Sequence, residues 1–381
     1  MNKILIVTTI PSTINAFLLP FVEHFRAHGW KVDAMARGIS ANAQCLAAFD
    51  QVWDIEWSRN PLNPLNLIAA PQIIQKIVEK EKYDIVHVHT PVAAFVTRYA
   101  LKNLKKQLNT KVIYTAHGFH FYQGGKALKN ALFLALEKLA GYWTDYLVVI
   151  NREDQAAAQK YKLVSSERLN YMPGIGVNLQ YYKADSISLE DIEKLRQELG
   201  LTANTKLLLS VAEFIPRKRL SDILKAYCNL NRPETCLVFA GDGILMEEMQ
   251  QLAIKLNIQN QVRFLGIRRD IPILIRTAAA TILVSEQEGL PRCVMESMSL
   301  ETPVIGTNIR GTRDLLENGC GLLVEVGDIE GIRKAMIWIL DHPEKARIIG
   351  KTGRERIANY DINQIIKMHT TLYIQVQTPN L

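Results

Sequence analysis

The chain has 381 residues, 48% hydrophobic and 22% charged, the profile of a soluble globular protein long enough for two cores rather than one. No apolar run reaches the ~18–20 residues of a membrane span, and Cys45, Cys228, Cys236, Cys293 and Cys320 form no C-x-x-C pair. This argues against a disulfide framework or thiolate zinc site and predicts a reducing cytoplasm. The net charge of +7 lies in one half: residues 1–180 hold 20 Lys and Arg against 13 Asp and Glu, and the remainder holds 25 of each.

The start is too short in its apolar part for a signal peptide and has no cleavage site, so it reads as a buried first strand, Ile4–Thr8. Further strands are predicted at Lys31–Met35, Gln51–Ile55, Ile85–His89, Val112–Ala116, Tyr146–Ile150 and Leu169–Met172. Helical segments such as Ala16–His28, ended by Gly29, and Asn66–Lys80 lie between them. Near-continuous apolar strands alternating with helices define a parallel sheet covered on both faces. The cationic excess of this half, on residues such as Arg98, Lys102, Lys105, Lys106, Lys111, Lys126 and Lys129, points to an anionic membrane leaflet, or else to a solvated surface.

Pro173-Gly174-Ile175-Gly176-Val177-Asn178 breaks the pattern, and a polar stretch runs on to Glu193. The domains are therefore placed at 1–178 and 179–360, with a closing helix at Asp361–Val376 in the last segment, 361–381. The second domain restarts the alternation with strands at Lys206–Ala212, Thr235–Ala240, Gln261–Leu265, Ala280–Val284, Pro303–Gly306 and Gly321–Glu325. Helices are read at Leu220–Leu230, Leu245–Leu256, Pro291–Leu300 and Ile329–Leu340. The fold class is α/β, with two doubly wound halves whose functional loops lie at the carboxyl ends of the strands, facing a shared cleft.

The densest chemistry is Ser285-Glu286-Gln287-Glu288-Gly289-Leu290-Pro291-Arg292-Cys293-Val294-Met295-Glu296, which follows an apolar strand and opens a helix. Pro291 suits the first helical position, and the amides of that first turn can hold phosphate or sugar oxygens. Glu296 suits the vicinal diol of a ribose, and Glu288 the hydroxyls of a transferred sugar. Phe214-Ile215-Pro216-Arg217-Lys218-Arg219 sets three adjacent cations at a strand end, where they can stabilise a departing diphosphate. The chain has no D-x-D triplet, so protein cations rather than a bound metal would have that task.

Ala240-Gly241-Asp242-Gly243 can let backbone approach a nucleotide. His87 and His89 share a strand face, and Ala116-His117-Gly118-Phe119-His120 follows another strand. Four imidazoles could bind a metal there, but no carboxylate or thiolate completes a set. The preferred reading has His117 alone facing the cleft, with Phe119 and His120 shaping an acceptor pocket.

Together these pieces resemble the retaining glycosyltransferases of the GT-B fold, family 4. The E-x7-E pair (Glu288, Glu296), Lys218, the Gly-Asp-Gly turn and His117 follow the family's order, from Met1 to about Tyr360. Ala116-His117-Gly118-Phe119-His120-Phe121 and Ile309-Arg310-Gly311-Thr312-Arg313-Asp314-Leu315 look most like bacterial capsule and exopolysaccharide transferases. The resemblance implies an acceptor-binding first domain, on which the last helix closes back, and a donor-binding second domain. It assigns Glu296 to the donor ribose, Lys218 to the diphosphate, and Glu288 with Gly289, Leu290, Pro291 and Arg292 to the transferred sugar and distal phosphate. His117 would contact that sugar near its reacting carbon. Phe264-Leu265-Gly266-Ile267-Arg268 would bracket the nucleobase.

Two departures stand out. Many members have Gly-Arg where this chain has Ala212-Glu213, leaving Arg217 and Arg219 as alternative phosphate ligands. Many also have a Gly-Gly loop where it has Thr8-Thr9-Ile10-Pro11-Ser12-Thr13, so the hydroxyls of Thr9 and Ser12 would serve toward the acceptor.

The function implied is metal-independent, retaining transfer of a hexose or N-acetylhexosamine from a UDP-sugar to a polyprenyl-diphosphate-linked glycan in cell-surface polysaccharide synthesis. No other cofactor and no nucleic acid is expected. The enzyme would work in the cytoplasm, peripheral on the inner face of the plasma membrane. The rivals are a nucleotide-sugar epimerase or hydrolase on the same scaffold and a non-catalytic sugar-nucleotide-binding protein. A glycosidase would leave the basic loop without a role. A dehydrogenase would need a G-x-G-x-x-G after the first strand.

Overall fold

The computed structural model describes residues 2–58 and 63–377. Residue 1, residues 59–62 within the 1–178 domain, and the last four residues of the 361–381 segment lie outside that description. The chain divides into two units, Met1–Ile175 with Asn363–Leu381, and Gly176–Ile362. The division falls inside the Pro-Gly-Ile-Gly break, three residues before the position read from the sequence.

In the first unit β1 (Lys3–Val7), β2 (Lys31–Ala36), β3 (Gln51–Asp54), β4 (Ile85–Val88), β5 (Lys111–Ala116), β6 (Tyr146–Val149) and β7 (Leu169–Tyr171) form one sheet. It is parallel throughout, in the order β3-β2-β1-β4-β5-β6-β7. The second unit carries β8 (Lys206–Val211), β9 (Thr235–Ala240), β10 (Val262–Phe264), β11 (Ala280–Leu283), β12 (Val304–Thr307) and β13 (Leu322–Val324), in the order β10-β9-β8-β11-β12-β13. Each strand lies within a residue of its expected bounds. In β8, Leu207 and Leu209 join one apolar cluster and Leu208 the other, so both faces of the sheet are covered.

The helices depart more. Ala16–His28 is two helices, Pro11–Phe17 and Leu19–Ala27, broken at Leu18 just before Pro20, which has no N–H to continue the ladder. Asn66–Lys80 begins as a π-helical turn, Leu65–Ala69, and becomes α-helical at Ala70–Glu81. The polar stretch to Glu193 ends inside a helix, Leu189–Glu198. Ser188 caps it, its oxygen accepting from the Asp191 amide at 3.0 Å. A further helix, Pro343–Ile357, was not read from the sequence.

In each sheet the chain starts centrally, winds to one edge and returns to build the other. The reversal separates the loops after β1 and β4 in the first unit, and after β8 and β11 in the second. Such switch points open crevices at the carboxyl ends of parallel strands. The basic loop follows β8 and the Glu288 loop follows β11, so topology brings together two segments about 70 residues apart in sequence.

Candidate active site

The two loops at the second unit's switch point are joined by backbone: the Glu286 amide donates to the Arg217 carbonyl at 2.8 Å. The Lys218 ammonium donates to Glu288 Oε1 at 2.5 Å, and their side chains are only 11% and 10% exposed. Arg217 Nη1 lies 3.8 Å from Glu288 Oε2 and donates to the Gln287 carbonyl at 3.1 Å. The sequence assigned Glu288 to sugar and Lys218 to diphosphate separately; the structure makes them one ion pair. A phosphate reaching Lys218 must share or displace that carboxylate.

Arg217 and Arg219, left open as phosphate ligands, separate here. Arg219 is held by Asp222 at 2.6 Å and Glu286 at 2.7 Å, whereas the Arg217 side chain is 46% exposed. Arg217 is the one with guanidinium surface to offer an anion.

Glu296 lies in the helix Arg292–Ser299, of which Pro291 is the N-cap residue rather than the first helical one. Its Oε1 accepts from the Tyr182 hydroxyl at 2.6 Å and lies 2.8 Å from Arg292 Nε. Burial raises its pKa, against the pull of Arg292 and Tyr182. Burial also pushes the neighbouring Cys293 thiol up to about 12, so it is no nucleophile at neutral pH. Tyr182 had no sequence signal; it reaches Glu296 only through the fold.

The glycines and Arg268 have other duties than the sequence gave them. Gly241 has φ +144, and a Cβ there would sit 2.0 Å from the Ala212 carbonyl oxygen. The close approach it permits is therefore to the protein's own β8 loop. Gly243 packs on Phe214 in the same way, and the Gly266 carbonyl accepts from the Gly241 amide at 2.8 Å. The Arg268 guanidinium, expected at the nucleobase, is engaged by Asp270 at 2.6 Å and Glu198 at 2.6 Å. Its cationic fork is spent within the protein.

Two residues that the sequence marked only as resemblance support the Glu288 loop. Buried Arg310 donates through Nε to the Glu288 carbonyl at 3.1 Å. At Gly311, φ is +74 and a Cβ would lie 2.0 Å from the Gly289 oxygen and 3.2 Å from Leu290 Cα. Gly289 and Leu290 are thus fixed from below by a residue that cannot carry a side chain.

In the first unit His117 follows β5, and its Nε2 lies 3.1 Å from His89 Nδ1. His87 Nδ1 is 2.5 Å from the Tyr373 hydroxyl, and its Nε2 is 2.7 Å from Thr115 Oγ1. Tyr373 and His369 come from the last helix, Ile362–Gln377, whose i, i+4 spacing sets both on one face. His369 completes the cluster, 5.8 Å from His87 between ring centroids. His120 is elsewhere, its ring against Phe133 at 5.1 Å. The rings stack rather than converge on one point, and among the described residues no group of three or more His, Cys, Asp or Glu could hold a metal.

Burial drives His117 and His369 down to about 4, and His87 and His89 well below their ordinary value. The cluster is neutral at neutral pH, so His117 can offer a hydrogen bond without a charge. Because the folded values are depressed, the unfolded chain binds more protons below about pH 6.5, and stability falls as pH drops from there toward 4. At about 1.4 kcal/mol per tenfold change in proton affinity, the loss at pH 5 is a few kcal/mol. Urea unfolding at pH 7.5 and 5 checks this, and His369→Met should flatten the dependence; an unchanged slope contradicts it.

The remaining acceptor-side residues scatter. The Thr9 hydroxyl is paired with Thr90 Oγ1 at 2.6 Å, across the switch point between β1 and β4. Ser12 is exposed in the short helix Pro11–Phe17. Phe119 is a core residue, 1% exposed and stacked on Phe121 at 4.8 Å, so it shapes no open pocket. His120 lines a narrow apolar groove of about 130 Å³ with Val92, Phe95 and Phe133.

Two parallel-sheet α/β units, each with a polar cluster at strand carboxyl ends, are the architecture of the GT-B enzymes, and the comparisons name the class. Residues 15–178 match the model of Glycosyltransferase Family 4, and residues 191–356 that of Glycosyl transferases group 1. The chain is 32% identical to the putative glycosyltransferase EpsD of Bacillus subtilis, over 98% of this chain and 96% of that one. It is 28% identical to the UDP-Gal:alpha-D-GlcNAc-diphosphoundecaprenol alpha-1,3-galactosyltransferase of Escherichia coli, over 80% and 78%. Among solved structures, Anabaena HepE in complex with UDP and glucose superposes with a TM-score of 0.80 at 20% identity, over 98% and 99%. The chain belongs to the GT-B glycosyltransferases of family 4.

Proposed function

We propose that this glycosyltransferase moves a hexose or N-acetylhexosamine from a UDP-sugar, with retention of the anomeric configuration, to a polyprenyl-diphosphate-linked glycan in cell-surface polysaccharide synthesis. The observation that carries the reading is the Lys218–Glu288 pair at the switch point, beside exposed Arg217, in the loop that leads into the helix bearing buried Glu296. Glu296 takes the ribose hydroxyls, Lys218 and Arg217 the diphosphate, and Glu288 with the first-turn amides the transferred sugar. A uridine donor and a lipid-linked acceptor are in keeping with the names of the Escherichia coli and Anabaena proteins.

The bond to the leaving diphosphate lengthens through an oxocarbenium-like state, with Lys218 and Arg217 balancing the charge in place of a metal. The departing phosphate oxygen takes the acceptor proton on the same face, and the neutral imidazole of His117 hydrogen-bonds the sugar. The Cys293 thiol beside this site is held protonated and supplies no nucleophile. The acceptor sits on the first unit, at an anionic inner leaflet.

A panel of UDP- and GDP-sugars, with and without lipid-linked acceptors and with a chelator present, tests this. The expected result is acceptor-dependent release of UDP, reduced in Glu288→Ala, and a product whose NMR coupling shows the donor's anomeric configuration. An inverted product removes the retaining mechanism. Turnover without acceptor points instead to the epimerase or hydrolase reading.

A further inference from the structure

The helix Ala127–Gly141 is anomalous. Ten of its fifteen residues are Ala, Leu or Phe, yet only Ala140 and Gly141 are buried. Leu128, Leu132 and Leu139 are 86%, 55% and 47% exposed, and Tyr142 beyond the end is 83% exposed. With Ala135 they recur every three or four residues, a continuous apolar stripe turned to solvent. Contiguous patches of this kind mark interaction surfaces. At 1.5 Å per residue the helix is about 22 Å long, shorter than a bilayer core, so it suits lying on a membrane rather than crossing one.

Charge decides the partner. Lys126, Lys129 and Lys138 flank the stripe; Lys129 lies over Phe133 and Lys138 over Tyr161. At the C-terminal end of the helix opens a cavity of about 670 Å³, lined among others by Lys138, Lys162, Arg168, Tyr142, Ser165 and Ser166. No carboxylate is among its described lining residues. An apolar stripe beside a cationic cavity is complementary to a lipid that joins acyl chains to a phosphate headgroup.

We propose that the stripe Leu128–Leu132–Leu139–Tyr142 and the Lys138–Lys162–Arg168 cavity form one docking face for anionic phospholipid. The stripe enters the acyl boundary, and the cavity receives a headgroup phosphate. This rests on the proposed anionic leaflet and assigns it to one helix; the donor site is untouched by it.

Flotation of the full chain with phosphatidylcholine vesicles, with and without phosphatidylglycerol, tests the proposal. The wild type should bind the phosphatidylglycerol vesicles and lose binding as salt rises. Leu128→Glu/Leu132→Glu should weaken binding by on the order of tenfold or more. Lys138→Ser/Lys162→Ser should remove most of the preference for phosphatidylglycerol. Circular dichroism checks that both variants fold. UDP release to a water-soluble, short-chain acceptor should stay at the wild-type level in both, which separates a failed docking face from a failed donor assignment. Vesicle binding unchanged in both variants, or absent in the wild type, overturns the proposal. So does a lipid-free dimer that Leu128→Glu/Leu132→Glu dissociates, or vesicle binding that inorganic phosphate leaves unchanged while Lys138→Ser/Lys162→Ser loses only phosphate binding.

Discussion

Glu288→Gln should lower sugar transfer by roughly two to four orders of magnitude, the range seen when one polar group is removed from a reacting centre. The side chain keeps its volume but loses the charge that meets Lys218 at 2.5 Å. Because both partners are largely buried, the variant also leaves an unpaired ammonium, at a cost of about 3 kcal/mol or more. Lys218→Met alone strands the carboxylate in the same way. The double variant removes both charges and should recover much of the stability while remaining inactive. Unfolding and steady-state transfer measured on all four proteins separate the two effects. If the double variant regains activity along with stability, the pair is structural and the donor assignment fails.

Gly311→Ala should be the glycine substitution that most directly disturbs the Glu288 loop. The new Cβ would meet the Gly289 carbonyl oxygen at 2.0 Å and its carbon at 2.7 Å, both backbone atoms with nowhere to turn. Relief requires moving the Glu288–Leu290 loop, so stability should fall by about 3 kcal/mol or more and transfer should be nearly abolished. Gly319 is the control, since its φ of +79 matches the +74 of Gly311 but nothing lies within 4 Å of its Cβ position. Gly319→Ala carries only the left-handed penalty of about 1 kcal/mol and should keep full activity. Urea midpoints and transfer rates that fall equally in both variants would show that backbone conformation, not loop support, sets the requirement.

What the sequence revealed and what it hid divide along a physical line. Strands came out within a residue because parallel strands buried on both faces are apolar without interruption, as in Lys3–Val7 and Thr235–Ala240. The E-x7-E segment was legible because a strand, a Gly-Leu-Pro turn and a helix lie in one stretch of chain. Long-range pairings left no such trace. Lys218 meets Glu288 from 70 residues away and Tyr182 meets Glu296 from 114, through topology alone. Arg268 was placed at the nucleobase by resemblance alone, and its partner Glu198, 70 residues away, left no trace in the local sequence. Phe119 and His120 are adjacent in sequence yet one is core and the other lines a groove, since the chain turns between them. Leu128 and Leu132 drew no reading from the sequence; only the fold shows them 86% and 55% exposed.

Lys218, Glu288 and Glu296 are the proposed uridine-nucleotide site of this glycosyltransferase. Titration calorimetry of UDP and GDP into the wild type, Lys218→Met and Glu296→Gln tests it most directly. UDP should bind more tightly than GDP, and each substitution should weaken UDP by about tenfold or more, as expected for losing a charged partner of a diphosphate or ribose. UDP affinity unchanged in both variants would contradict it.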